Sequence, residues 1–209
     1  MPKPAAPRPA NPLKLTDRKR LAILDAAISE FRQQGFELTS MDGIARTANV
    51  SKRTVYNHFA SKELLFAEIL TQLWQNSAEQ VGLSYQAEAP LRPQLEELLW
   101  QKMRMLNQQD FIDLARVAIA ETIHSPERAQ DMVNRLNERE EGITTWIRAA
   151  TADGKLHTDD PAFAATQLQG MIKTFAFWPQ IAMGQPPLTR KQQEHIVTSS
   201  ADMFLHYYA

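Results

Sequence analysis

The chain has no cysteine, which excludes disulfide staples and thiolate-held metals and suits a reducing compartment. Glycine is scarce, at seven residues, and none sits in a phosphate-cradling loop or a strained nucleophile elbow. The five histidines, His58, His124, His157, His195 and His206, never adopt the HExxH spacing of a zinc site. His157 with Asp159 and Asp160 comes nearest to a metal set, and a polar loop capping the next helix explains that group more simply. No run approaches the roughly 18 apolar residues that span a bilayer, and no apolar signal core follows the start. The expectation is a soluble, cytoplasmic protein without cofactor or metal. An enzyme whose site assembles only in space is an alternative that such a scan does not see.

What is present is a 44% hydrophobic composition over 209 residues, enough for a core and for one or two domains. The net charge of −1 conceals a division. Residues 1–62 hold 11 Lys/Arg against 5 Asp/Glu, whereas residues 63–209 hold 12 against 19. A basic front on an acidic body suggests a polyanion-binding module joined to something that does not touch the polyanion.

The pattern predicts an all-α fold of about nine helices without a sheet. "MPKPAAPRPANP" has five prolines in twelve residues, so residues 1–15 are expected to be a disordered, mildly basic tail. A first helix carries Leu21, Leu24, Ile28 and Phe31 as one stripe, and Gly35 suits its left-handed end. In "TSMDGIARTANVS", Thr39 or Ser40 caps a two-turn helix with Ile44 and Ala45 inward, closed at Asn49, a residue that tolerates positive φ. Ser51 caps another short helix on which Val55 and Phe59 stand four apart, and Ser61 starts the next. "DFIDLARVAIAETIH" is apolar nearly all round and should be a central, buried helix. Ser125 with Pro126, and Asp160 with Pro161, read as helix starts. Pro179 ends a helix, and Thr189 starts the last one.

Two short helices joined by a tight turn, with cations near the start of the second, describe a helix-turn-helix over residues 16–62. A major groove admits one helix, whose first residues meet the base edges. With Val55 and Phe59 anchoring, Lys52, Arg53, Thr54 and Tyr56 lie on exposed faces. Arg53 suits bidentate bonding to guanine, and Thr54 and Tyr56 suit a thymine methyl or a phosphate. The free N–H groups beside Lys62 make a phosphate clamp.

These residues resemble the DNA-binding domain of TetR-type bacterial transcriptional regulators, through "ILDAAISEFRQQGF", "TSMDGIARTANVS" and "SKRTVYNHFASKELL". The resemblance implies that Ser51 to His58 form the recognition helix. It also implies that Tyr56, His58 and Lys62 hold phosphates, with Thr39 or Ser40 adding a backbone contact. Arg53 departs from a frequent glycine, which could add a base contact. Residues 63–209 look like an AefR/AcrR-type regulatory domain. The expected partners are therefore a palindromic double-stranded operator, a small hydrophobic or amphipathic effector, and a second copy of the chain. A DNA-binding chain controlled by a protein partner is the alternative.

Within the acidic body, the helix "AFAATQLQGMIKTFAFW" is apolar on more than one face, which a two-fold pairing with the last helix would cover. Ala164, Leu168, Met171, Phe175, Ser200 and Phe204 are the candidate pairing residues. Trp100, Met103, Arg116, Ile119, Trp146, Lys173 and Phe177 are the candidate effector residues. Aromatic and Met side chains at helical spacing also serve as plain core, and Arg116 has Asp113 three residues earlier to pair with.

Overall fold

A computed structural model describes residues 15–79, 82–124 and 142–209, with the isolated positions 127 and 130. Residues 1–14 of the expected tail and the expected start at Ser125 and Pro126 lie outside the described residues. Among the described residues there are ten helices and no strand. The chain divides into two compact units after Phe66.

The first unit holds α1 (Leu15–Leu38), α2 (Met41–Thr47), α3 (Lys52–His58) and the first turn of α4 (Lys62–Glu79). Gly35 interrupts α1 with φ 79° and ψ 167°, a region open essentially to glycine alone and not the left-handed helical well the sequence pattern suggests. The inward stripe of α1 is Ile23, Leu24, Ala27 and Phe31, whereas Leu21 is 43% exposed. The predicted stripe was thus rotated, because apolar residues lie on both sides of the true one. Beyond Gly35 the chain turns Phe36 inward. Its ring lies 5.3 Å from Phe31 and 5.3 Å from Phe66, and Phe66 meets Phe31 edge-on at 5.9 Å. Three rings in edge and tilted contact tie the two ends of the unit together.

The second unit contains the remainder of α4, then α5 (Leu91–Leu106), α6 (Gln109–His124), α7 (Gly142–Ala152), α8 (Pro161–Ala176), α9 (Trp178–Ala182) and α10 (Arg190–Tyr208). Its caps follow the sequence. Asp160 accepts from the Phe163 N–H at 2.9 Å, and Thr189 forms a reciprocal capping box with Gln192. Leu95, Leu98, Leu99, Met103 and Leu106 on α5 are buried, and α5 packs chiefly on α10.

The expected central helix, α6, is buried at Phe111, Ile112, Leu114, Ala115, Val117 and Ala118, but Ile123 is 72% exposed. Among the described elements it is α8 that touches α5, α7, α9 and α10. A further departure is α9. Pro179 does not simply end the preceding helix; α8 stops at Ala176, and Pro179 occupies the first turn of a new five-residue helix. Proline is as much a helix starter as a terminator, because a first-turn N–H has no intrahelical partner to lose.

A buried glutamine straps residues 86–90 to this core. The Gln94 carboxamide donates to the carbonyls of Gln86, Ala89 and Pro90 at 3.0, 3.0 and 3.2 Å. Its oxygen accepts from the Gln86 N–H at 2.9 Å and from the Trp146 indole at 3.3 Å.

Candidate nucleic-acid interface

The site rests on two caps and one turn. Ser40 accepts from the Gly43 N–H at 3.0 Å and opens α2. The helix closes at Ala48, and Asn49 takes φ 51°, the one positive φ outside glycine among the described residues. Asparagine tolerates this because its short polar side chain can bond locally. Val50 N–H returns to the Ala45 carbonyl at 3.0 Å. Ser51 then accepts from the Thr54 N–H at 3.1 Å and opens α3.

Val55 is fully buried and Phe59 is 5% exposed, with the Arg20 guanidinium 5.0 Å above the Phe59 ring. These two anchors leave Lys52, Arg53, Tyr56 and Asn57 exposed, and Thr54 and His58 half-buried. Sequence reasoning missed Asn57. It lies four residues after Arg53, so both occupy one helix face, and its carboxamide matches the adenine edge as a guanidinium matches guanine.

Several expected contacts are engaged elsewhere. Thr39 is only 3% exposed, and its hydroxyl donates to the Gly35 carbonyl at 2.8 Å. It serves the chain reversal after α1 and presents nothing to a phosphate; Ser40 is the exposed member of the pair. The Lys62 ammonium donates to the carbonyls of Phe36 and Glu37 at 2.6 and 3.1 Å. It also sits 4.4 Å above the Phe36 ring. A cation on the last carbonyls of a helix is favourable, so the Lys62 ammonium, to which the resemblance gives a phosphate, braces the end of α1. Ser51 shares its hydroxyl with that of Thr54 at 2.8 Å. Lys52 bonds Asp42 at 2.9 Å, and this hydrogen bond and charge raise the lysine pKa above its ordinary value.

In the second unit the seven expected effector residues do not gather around one described cavity. Met103 and Trp146 have 0% and 1% exposure and are core, as large apolar side chains at helical spacing commonly are. Trp100 lies under the Arg190 guanidinium at 4.0 Å. The Arg116 guanidinium donates to the Gln180 carbonyl at 2.6 Å and stands 3.6 Å from Asp113. It therefore joins α6 to α9 instead of awaiting a carboxylate. Ile119, Lys173 and Phe177 stay half-buried.

Of the expected pairing residues, Phe175 faces outward and Met171 is half-buried, whereas the other four turn inward. Ala164, Leu168 and Phe204 are 0%, 0% and 1% exposed, and Ser200 is 4% exposed, all inside the unit. The outward residues of α8 and α10 are Phe163, Phe175, Met203 and Tyr207, at 56%, 53%, 60% and 79% exposure. The two helices run antiparallel: the Tyr208 hydroxyl bonds Gln167 near one end. Towards the other end Met171, Phe175, Ile196 and Met203 line an open cleft of about 830 Å³.

Comparison with known proteins follows the same division. The model for bacterial regulatory proteins of the tetR family matches residues 23–69, and that for the C-terminal domain of AefR-like transcriptional repressors matches residues 93–209. A crystal structure of a TetR family transcriptional regulator from Pseudomonas syringae pv. tomato str. DC3000 is 53% identical with a TM-score of 0.84, over 93% of this chain and 98% of that one. The uncharacterized HTH-type transcriptional regulator YhgD of Bacillus subtilis (strain 168) is 33% identical over 66% of this chain and 69% of its own length. The flavonoid-responsive regulator FrrA is 26% identical with a TM-score of 0.67, over 92% of this chain and 97% of that one.

Proposed function

We propose that this chain, which belongs to the TetR family of bacterial regulatory proteins, represses transcription by binding a palindromic operator as a homodimer, and that a small hydrophobic or amphipathic molecule releases it. The family is one of DNA-binding regulators, not enzymes. The observation that carries the proposal is the α3 surface: Arg53, Tyr56 and Asn57 stand free of the core while Val55 and Phe59 hold the helix rigidly. A rod so braced can meet base edges without first losing conformational freedom.

Dimerisation is supported by the outward Phe163, Phe175, Met203 and Tyr207 along two adjacent helices. Large apolar side chains left in solvent on neighbouring helices mark a candidate interaction face. A two-fold axis there would present two copies of α3 and thereby require a two-fold operator. The match to a repressor's C-terminal domain supports repression, and the flavonoid response named for one relative supports an apolar effector. Of the expected effector residues, Ile119, Lys173 and Phe177 keep accessible surface for it. Release requires the effector to bind more tightly to the state that cannot hold DNA. The site of action would be chromosomal DNA in the cytoplasm.

A gel shift on DNA from upstream of the chain's own gene, with and without a panel of apolar aromatic compounds, tests the reading. Retardation that one class of compound abolishes is the expected result. Retardation that no compound affects would favour control by a protein partner.

A further inference from the structure

Between Thr39 and Ser61 the chain carries Arg46, Lys52 and Arg53, and its single carboxylate there is Asp42. That carboxylate is placed on the reading head and not away from it. Asp42 lies in the first turn of α2, and its Oδ2 is 2.9 Å from Nζ of Lys52, the first residue of α3. Both side chains keep more than half their surface in solvent, 54% for Asp42 and 62% for Lys52. An exposed pair of this kind contributes little to stability, so holding the fold together is a weak reason for it.

Its effect on a polyanion is larger. Sequence-independent affinity for duplex DNA comes from cations that neutralise phosphates and release condensed counterions. Lys52 sits on the surface proposed to enter the groove, yet with Asp42 bonded to it the pair has no net charge. Arg53, the next residue, has no ion pair among the described residues, so its planar fork remains available for a base edge. We propose that Asp42 is an electrostatic brake on DNA binding, set into the reading head itself. It cancels Lys52 and opposes approaching phosphates, which lowers affinity for any duplex by a similar factor and leaves the base-reading side chains untouched. The inference rests on α3 being the element that enters the groove.

The test uses the full chain, its Asp42→Asn variant and the Asp42→Asn/Lys52→Gln double variant, each binding a labelled duplex of mixed sequence over a range of salt. Freed Lys52 should neutralise one further phosphate. The Asp42→Asn slope of log affinity against log salt should then steepen by about 0.9, so that a fourfold drop in salt raises affinity roughly 3.5-fold more than in the parent. The double variant should return to the parental slope. An unchanged slope in Asp42→Asn would overturn the proposal. So would a double variant shallower than the parent, because Lys52 would then already hold a phosphate beside Asp42. A lower melting temperature with weaker binding to the duplex would overturn it too, in favour of a strut between α2 and α3. If the parent bound no duplex at all, the groove-reading role of α3 itself would fall, which is a separate result from these.

Discussion

At the scale of single residues, the DNA-binding unit depends on a few side chains that bond the ends of its helices: Ser40, Ser51, Thr39 and Lys62. Thr39 and Ser40 are equally able to cap a helix, and only the fold decides that Thr39 turns inward to the Gly35 carbonyl while Ser40 caps α2. Lys62 could be placed beside the reading head from sequence; that its ammonium is occupied by the Phe36 and Glu37 carbonyls could not. Those carbonyls lie some 25 residues earlier in the chain, and local pattern carries no information about such a contact. Lys62→Met should therefore destabilise the DNA-binding unit by about 1–2 kcal/mol through two lost charge-assisted bonds. A thermal melt of the full chain checks this. An unchanged melt combined with a salt slope shallower by about one phosphate would return Lys62 to the role of direct contact.

Whole helices were more legible than their orientations. The starts at Ser40, Ser51, Asp160 and Thr189 were readable because a cap is a local event, one side chain meeting one N–H within three residues. The buried side of α8 was not readable. Apolar residues occur all round it, and the true inward set, Ala164, Ala165, Leu168, Ile172 and Ala176, is the smaller-bodied one. Small residues let α8 approach several neighbours closely, and the larger Phe163 and Phe175 are left outside. The turn between α2 and α3 was legible through Asn49, whose φ of 51° matches what asparagine tolerates. Asn49→Val puts a β-branched side chain into that conformation at a cost of about 1–2 kcal/mol. It should lower the melting temperature and weaken duplex binding together, whereas Asn49→Gly should do neither. Equal behaviour of the two variants would show that this turn does not set the angle of α3.

For the molecule as a whole, the chain divides into two compact units after Phe66, within α4. The sequence division between residues 62 and 63 falls at the start of α4, four residues before that break, and no proline or glycine interrupts the helical pattern there. The outward apolar residues of α8 and α10 have no covering partner in a single copy among the described residues. Introducing charge there, as Phe175→Glu with Met203→Glu, should convert a dimer to a monomer in analytical ultracentrifugation. Because two heads held together bind far better than either alone, the same variant should lose operator affinity about 100-fold or more. A variant that stays dimeric would move the pairing surface elsewhere.

The central claim is that α3 reads duplex DNA in paired copies, and it is tested most directly by titrating a labelled fragment from upstream of the chain's own gene, at low salt, with the parent chain and its Arg53→Ala variant. The account predicts two copies per site and protection of two half-sites about one helical turn apart. It also predicts that Arg53→Ala relaxes preference at one base pair in each half, at about 1–3 kcal/mol. Absence of affinity for any duplex at low ionic strength, or single-copy binding with an unaltered preference in the Arg53 variant, would contradict it.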